Sequence, residues 1–311
     1  MSGGVEIRND AFRRVVGDGV ELERVATGFG FTEGPIWHPT EHFLVFSDMN
    51  HDHQRRWSEA AGVTTFRQPS NKANGSAFDR QGRIVTCEHA SSRVVRIEAD
   101  GSEFVLASHH DGKELNSPND IVVKSDGALY FTDPTYGRIR EDIGLLRNTE
   151  LAHRGLYRID PADGSLRLLV ADFWQPNGLC FSIDESRLFV NDTPRFHIRV
   201  FDVAADGSVG NGRVWAETLD AQGEKPDGRR AKTATGMKPD GMKVDSEGNL
   251  YVVGPGGVHV FDTNAVSLGV ILMPEHTTNF VFGDADFRSL YVTASTSVYR
   301  VRVNVPGLPA F

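Results

Sequence analysis

The chain has 311 residues and a formal net charge of −9. A nucleic-acid surface needs clustered Lys and Arg to neutralise phosphates, so this acidic balance argues against nucleic acid and favours a small-molecule substrate. No apolar stretch reaches transmembrane length and Met1–Gly4 does not resemble a signal peptide, so we expect no membrane segment and a cytoplasmic location.

One pattern recurs along the chain: a polar residue, a short apolar run, a turn rich in Asp, Gly or Ser, and a second apolar run. In Ser117–Asp133, the runs Ile121–Val123 and Leu129–Phe131 flank a Ser-Asp-Gly turn. This pattern predicts an antiparallel hairpin, which brings Asn119 and Asp133 to the same open end.

Six copies of this hairpin follow one another. Their leading polar residues are Glu33, Asn74, Asn119, Asn177, Asp240 and Asn279. Successive leading residues are separated by 39 positions, from Asp240 to Asn279, up to 63 positions, from Asn177 to Asp240. Repeats of that length made of strands alone are typical of β-propeller blades. The sequence therefore predicts an all-β fold, a six-bladed β-propeller.

The segments between the hairpins are expected to complete each blade. Alternating patterns typical of strands occur at Arg93–Ile97, Gly155–Ile159 and His197–Phe201. Because the last repeat ends the chain, a strand near Glu21–Val25 is expected to close the ring. We predict a single domain over residues 1–311, in which residues 1–26 form an N-terminal extension that carries the closing strand. The polar segment Ala221–Thr235 is expected to be a loop that acts as a lid or an oligomer contact, and the oligomeric state stays open.

The six leading residues should meet in the central channel, since the innermost strands of a propeller start at the same face. All six side chains carry oxygen, which hard cations such as calcium and magnesium prefer. Two carboxylates, Glu33 and Asp240, would balance one divalent ion, so the sequence predicts a central metal-binding channel. The alternative is that Asn-Gly and Asp-Gly merely form turns. Asn119, followed by Asp, and Glu33 do not fit that alternative.

A second set of acids ends the return strands. Its members are Asp48, Glu88, Asp133 and Asp192, with Gly254 and Ala294 at the corresponding places of the other two repeats. We expect these acids near the first ring but farther from its axis. One of them could orient a water or act as a general base. The alternative is that they accept hydrogen bonds from backbone amides or pair with arginines.

Several motifs in a fixed order give the chain a family resemblance. They are Gly112–Asp120, Tyr130–Gly137, Pro176–Leu179, Pro239–Asp245 and Thr278–Gly283. With these motifs the chain resembles the SMP-30/gluconolactonase/luciferin-regenerating-enzyme-like family from about Thr27 to Val301. The resemblance implies a six-bladed propeller with one divalent metal ion in its channel. Calcium is the first expectation, and magnesium, manganese and zinc are the alternatives.

The resemblance also implies roles for individual residues. Glu33, Asn177, Asp240 and Asn119 match metal-binding positions, and Asp240 and Asn119 are the expected catalytic residues. Asp240 is the implied general base, whereas Asn119 contacts either the metal or the substrate. The residues expected around the substrate or behind the ligands are Asn74, Glu88, Asp133, Asp192, His276 and Asn279. The pairs His51/His53 and His109/His110 are expected in solvated loops.

The implied reaction is metal-assisted hydrolysis of a small sugar lactone, in which water attacks a polarised ester carbonyl. The sequence has no Gly-x-Ser-x-Gly motif, so it gives little support to a serine acyl-enzyme. Two alternatives remain. The first is a related metal-dependent hydrolase of organophosphorus esters or non-sugar lactones. The second is a non-catalytic propeller that binds a protein on its flat face.

Overall fold

The computed structural model describes residues 2–218 and 237–310, and their regular secondary structure is almost entirely antiparallel β-sheet. The segment Ala221–Thr235, expected to be a loop, lies outside the described residues. No helix within the two described ranges has both the length and the apolar character that crossing a lipid bilayer requires. The N-terminal elements are β1 (Ser2–Gly3), β2 (Val5–Ile7), the helix α1 (Ala11–Val15) and β3 (Val20–Thr27).

The first three blades are four-stranded sheets. Blade 1 comprises β4 (Thr32–His38), β5 (Phe43–Asp48), β6 (His53–Ser58) and β7 (Gly62–Arg67). Blade 2 comprises β8 (Ala73–Phe78), β9 (Ile84–Glu88), β10 (Arg93–Ile97) and β11 (Glu103–Ala107). A short ribbon follows, made of β12 (His109–His110) and β13 (Lys113–Glu114). Blade 3 comprises β14 (Ile121–Val123), β15 (Leu129–Asp133), β16 (Gly155–Ile159) and β17 (Leu166–Val170), and the helix α2 (Tyr136–Ile139) follows β15.

The last three blades repeat the arrangement. Blade 4 comprises β18 (Pro176–Phe181), β19 (Arg187–Asp192), β20 (His197–Val203) and β21 (Val209–Glu217), with a 3-10 helix (Thr193–Arg195) after β19. Blade 5 comprises β22 (Met242–Val244), β23 (Leu250–Gly254), β24 (Gly257–Phe261) and β25 (Ser267–Leu272). Blade 6 comprises β26 (Thr277–Gly283), β27 (Ser289–Ala294) and β28 (Ser297–Arg302), together with β3.

The blades close into a ring around their innermost strands. Each of β4, β8, β14, β18, β22 and β26 contacts the innermost strand of the next blade, and β26 contacts β4. The prediction of an all-β, six-bladed propeller is therefore confirmed. Strand β3, which contains the predicted closing segment, pairs with β28 from Thr27 opposite Ser297 to Leu22 opposite Val301. The first residues of the chain also add β2 to the edge of blade 5 and β1 to the edge of β3.

The apolar core lies between adjacent blades rather than on the ring axis. Phe131 and Tyr157 of blade 3, for example, pack in one buried cluster with Val85 and Cys87 of blade 2. Full burial of one such side chain is worth about 1.5–3 kcal/mol, so these layers supply most of the driving force that holds neighbouring blades together. At one end of the ring the innermost strands present polar leading residues such as Glu33 to a cavity, whereas farther along they present apolar side chains such as Ile36 and Ile121 to a second one.

Candidate active site

Four of the six leading residues sit at β-bulges. The pairing of innermost strands shifts register between Glu33 and Ile36, Ala73 and Ser76, Pro176 and Leu179, and Thr277 and Asn279. A bulge bends its strand and redirects the side chains beside it. Because Glu33, Asn74, Asn177 and Asn279 lie inside strands, the alternative that these residues merely form turns does not describe them.

Glycines directly after the leading residues let neighbouring blades approach closely. A Cβ atom on Gly178 would lie 2.1 Å from the carbonyl oxygen of Asp240, in the next blade. A Cβ atom on Gly34, whose φ is 53°, would lie 1.9 Å from the carbonyl oxygen of Asn74. Only a residue without a side chain fits at these positions. The glycines therefore help to set the spacing of the ring.

We expect Gly178→Ala to destabilise the protein by about 1–3 kcal/mol, because the added methyl group must push the Asp240 backbone aside. The same shift should weaken any cation site that uses Asp240. Urea unfolding and calcium titration by calorimetry would measure the two effects. Gly210→Ala in β21 is the matched control: no atom lies within 4 Å of its added Cβ atom, and its stability should change by less than about 0.5 kcal/mol. Equal midpoints for both variants would contradict the argument.

Five of the six leading residues line one cavity of about 420 Å³: Glu33, Asn74, Asn119, Asn177 and Asp240. The sixth, Asn279, lies behind them and donates from Nδ2 to Glu33 Oε2 at 3.2 Å. Loops supply the rest of the wall, including Tyr136, Arg140, Trp174, Lys238 and His276. The structure thus brings together five of the six predicted ring residues in one concave site.

Two carboxylates lie side by side in this cavity. The Asp240 carboxylate is next to both Glu33 and the Asn177 amide, and its buried Oδ1 accepts no hydrogen bond from a described residue. Burial, followed by the negative charge of Asp120, raises the pKa of Glu33 to about 7. Burial and the charge of Glu33 likewise raise the pKa of Asp240 well above its usual range. Ionising both carboxylates without a counter-charge is unfavourable. A cation bound between them would lower the pKa values of Glu33 and Asp240 again.

A third carboxylate, Asp120, lies near enough to act on this pair through its charge, and sequence analysis missed it. Asp120 is buried, its Oδ1 accepts the N–H of Ile121 at 3.0 Å, and its Oδ2 has no donor among the described residues. Burial raises the pKa of Asp120, while the positive charge of Lys243 opposes that rise. The available signal was the pair Asn119-Asp120, in which an acid stands where four of the other five repeats carry glycine.

His89 is the second residue that sequence analysis missed. Its ring is fully buried, and its Nε2 lies 3.1 Å from Asn74 Nδ2 and 3.4 Å from Asn119 Nδ2. On the other side, Nδ1 lies 3.1 Å from the carbonyl oxygen of Ile143. Burial lowers the pKa of His89 to about 4, so the ring is neutral at physiological pH. The available signal was a histidine directly after Glu88, where blade 2 ends its return strand.

The second set of acids does not line the cavity. Asp133 accepts the N–H groups of Asn116 and Ser117, both at 2.8 Å. Asp192 accepts those of Trp174 and Gln175, both at 2.9 Å. These amides lie just before the innermost strands, so the carboxylates fix the chain that leads to the ring residues.

The other two acids of the set are also turned away from the cavity. Asp48 accepts the N–H of Gly30 at 2.9 Å and contacts Arg55 at 3.3 Å. Glu88 contacts Arg67 at 2.9 Å and Arg93 at 2.7 Å. The contacts of all four acids therefore match the alternative of backbone capping and arginine pairing, rather than that of a general base.

Among the histidines singled out in the sequence, only His276 lines the cavity. His51 is exposed in a turn, as expected. The expectation of a solvated loop is wrong for His53, which begins β6 and is buried, because it pairs with Asp48 at the end of the buried strand β5. His109 and His110 form the short strand β12 instead of a loop, and within it His109 is exposed, as expected, while His110 is half-buried.

The cavity offers the oxygen atoms that a hard divalent cation requires. Over residues 2–218 and 237–310 there is no cluster of three or more His, Cys, Asp or Glu side chains suited to holding a metal, so amide oxygens would have to contribute. The amides of Asn177 and Asn119 stand beside the two carboxylates in the cavity wall. Calcium takes about six to eight oxygen ligands and accepts carboxylate, amide and water oxygens together. The set therefore fits calcium or magnesium better than zinc, which favours His and Cys.

Comparisons with known proteins cover nearly the whole chain. Residues 31–296 match the model of the SMP-30/Gluconolactonase/LRE-like region. A gluconolactonase of Zymomonas mobilis subsp. mobilis is 31% identical over 304 residues, which cover 92% of this chain and 82% of the relative. Pentonolactonase XacC of Haloferax volcanii is 26% identical over 280 residues, with coverages of 87% and 84%. The solved structure of a gluconolactonase from Xanthomonas campestris superposes with a TM-score of 0.86 at 32% identity, over 96% of this chain and 94% of that one.

Proposed function

This chain belongs to the SMP-30/gluconolactonase/LRE-like family, and we propose that it is a metal-dependent lactonase that opens a sugar lactone by attack of water. The observation that carries the proposal is the adjacent pair Glu33 and Asp240, two carboxylates set among amide side chains in one cavity. The relatives named gluconolactonase and pentonolactonase support a sugar lactone as the substrate class.

Four residues of the cavity would hold one divalent cation, with calcium as the first choice: Glu33, Asn119, Asn177 and Asp240. Bound there, the cation would supply the Lewis acidity that polarises an ester carbonyl and stabilises the charge of the transition state. The chain contributes the fixed positions of these side chains, since bulges, close-packed glycines and capping carboxylates hold the strand ends. Such preorganisation lets the groups act without rearrangement during the reaction.

Asp240 is the proposed general base, because its Oδ1 accepts no hydrogen bond from a described residue. The oxygen of a water molecule forms a bond to the lactone carbonyl carbon, and one water proton passes to the Asp240 carboxylate. The bond from that carbon to the ring oxygen then breaks. The proton moves to the departing oxygen, and the product is a hydroxy acid.

Part of the cavity wall is suited to a polyol. Arg140 and Lys238 can offer hydrogen-bond donors to hydroxyl groups, and the half-exposed Trp174 offers an apolar face to a sugar ring. Arg140 is itself held at 2.5 Å by Asp142. These groups support a sugar lactone as the substrate, and the apolar side chains of Phe31 and Ile143 occupy other parts of the same wall.

The proposal is tested by removing divalent metal and following proton release from D-glucono-δ-lactone, with and without added calcium, magnesium, manganese or zinc. We expect the chelated protein to hydrolyse no faster than the buffer blank, and an added cation, calcium first, to restore turnover. Turnover that survives chelation would overturn the role of the metal. Metal binding without turnover would indicate that the substrate is a non-sugar lactone or an organophosphorus ester, and these compounds would be assayed next. No metal binding would favour a non-catalytic propeller.

A further inference from the structure

The ring of His89 lies between two amide side chains and a backbone carbonyl group, all from residues that line the cavity. It is fully buried in blade 2, within hydrogen-bonding distance of Asn74 in its own blade and of Asn119 in blade 3. Its other nitrogen faces the carbonyl oxygen of Ile143, and Ile143 itself lines the cavity. A Cβ atom on Gly137 would lie 2.6 Å from the Cβ of His89, so a glycine there makes room for the histidine.

The partners of the ring fix which nitrogen carries its proton. A backbone carbonyl oxygen can only accept, so Nδ1 must be the donor to Ile143. The ring is fully buried and its hydrogen-bond partners are two amides and a carbonyl, without a carboxylate to balance a charge, so it is neutral, and its Nε2 has a lone pair that can only accept. Both amides must therefore turn their NH₂ groups towards His89.

The orientation of each NH₂ group fixes the orientation of its carbonyl oxygen. Asn74 and Asn119 both line the cavity, and no described residue donates a hydrogen bond to the Oδ1 atom of either one. A flipped amide would instead point two N–H groups at the carboxylates' cation site, where they would repel a cation. The choice between the two orientations therefore decides whether Asn119 can serve as a cation ligand and whether Asn74 presents an acceptor or two donors to the cavity.

We propose that His89 is a positioning residue that locks the Asn74 and Asn119 amides with their oxygen atoms towards the cavity. The inference deepens the proposed function, on which it rests for the cation that these oxygens would serve. Groups that orient metal ligands in this way typically change metal affinity by about 10–100-fold when they are removed.

Two substitutions of His89 separate its acceptor from its donor. In His89→Gln, Oε1 can take the place of Nε2 and accept from both amides. In His89→Asn, the shorter side chain reaches only the position of Nδ1, so the bond to Ile143 can persist while the acceptor is lost. We expect His89→Asn to weaken calcium binding by about 10–100-fold, and His89→Gln to bind nearly as the unchanged protein does. Calorimetric titration of the metal-free proteins measures both affinities without reference to activity, and thermal unfolding of the metal-free variants compares their stabilities.

A second measurement is independent of metal and of substitution. Two-dimensional ¹H–¹⁵N NMR of the imidazole in the metal-free protein should show His89 protonated on Nδ1 alone. Protonation on Nε2 would overturn the inference, and so would equal calcium affinities for the unchanged protein and His89→Asn. Equal weakening in both variants, with equal losses of stability, would reduce His89 to a packing role and overturn it too. If the unchanged protein binds no divalent cation, the proposed function fails at its metal, and the ligand-positioning role fails with it.

Discussion

Asp240→Asn is expected to lower the kcat of lactone hydrolysis by about 10³-fold or more, within the range that loss of a general base produces. The substitution also removes one of the two charges proposed to hold the cation, so calcium affinity should fall together with turnover. Proton-release kinetics at saturating calcium and calorimetric titration would measure the two losses separately. Full activity of this variant in the absence of metal would contradict both the site and the base assigned here.

The matched control for Asp240→Asn is Asp262→Asn in the same blade. Asp262 lies in the turn between β24 and β25, where it accepts the backbone N–H groups of Asn264 and Val266 at 2.9 and 2.8 Å. The chemical change is identical, but no cavity residue is touched. Turnover and calcium affinity should stay at the level of the unchanged protein, so a loss in this control would point to global unfolding instead.

Stability should move in the opposite direction to activity. Burial and the charge of Glu33 oppose ionisation of Asp240 in the metal-free protein, so a neutral Asn at this position relieves repulsion at neutral pH. We expect metal-free Asp240→Asn to unfold at a higher temperature than the metal-free unchanged protein, and to gain less stability when calcium is added. A lower melting temperature for the metal-free variant would show that Asp240 acts mainly as a structural hydrogen-bonding group.

The repeated hairpin was enough to predict the ring, because its information is local. The step from a leading polar residue to its return strand is almost constant in the sequence, and the same step places Asn119 and Asp133 at the open end of blade 3. Propeller geometry then turns a position in the repeat into a position at the channel. Glu33, Asn177 and Asp240 could be brought together in this way without any knowledge of their contacts.

The residues that sequence analysis missed make their decisive contacts across repeats. His89 belongs to blade 2, yet it meets Asn119 of blade 3 and the carbonyl of Ile143, which follows that blade's second strand. Asp120 acts on Glu33 of blade 1 through its charge. No spacing within one repeat encodes such contacts. The direction of a side chain at a strand end is equally hidden, which is why the second set of acids was left with two alternative roles.

Glu88→Ala would decide between those two roles for one acid of the set. Glu88 is fully buried, and its carboxylate accepts hydrogen bonds from the guanidinium groups of Arg67 at 2.9 Å and Arg93 at 2.7 Å. Removing one partner of a buried ion pair typically costs about 3–5 kcal/mol, because the remaining charges lose their counter-charge. We therefore expect a loss of about 3 kcal/mol in the free energy of unfolding, the lower end of that range because Arg93 is partly exposed. Calcium affinity should be unchanged, since Glu88 does not line the cavity.

Glu103→Ala is the control for Glu88→Ala, because Glu103 contacts the same two arginines, Arg67 at 2.6 Å and Arg93 at 3.1 Å, from a more exposed position. Ion pairs that face solvent contribute about 0–1 kcal/mol, so this variant should unfold at nearly the same urea concentration as the unchanged protein. The two acids share their charge and both arginine partners, and they differ in burial and in the contacts of Glu88 with Asn71 and Ser91. If Glu88→Ala instead kept its stability and lost turnover, the acid at the end of β9 would act on the reaction, and backbone capping and arginine pairing would not explain its position.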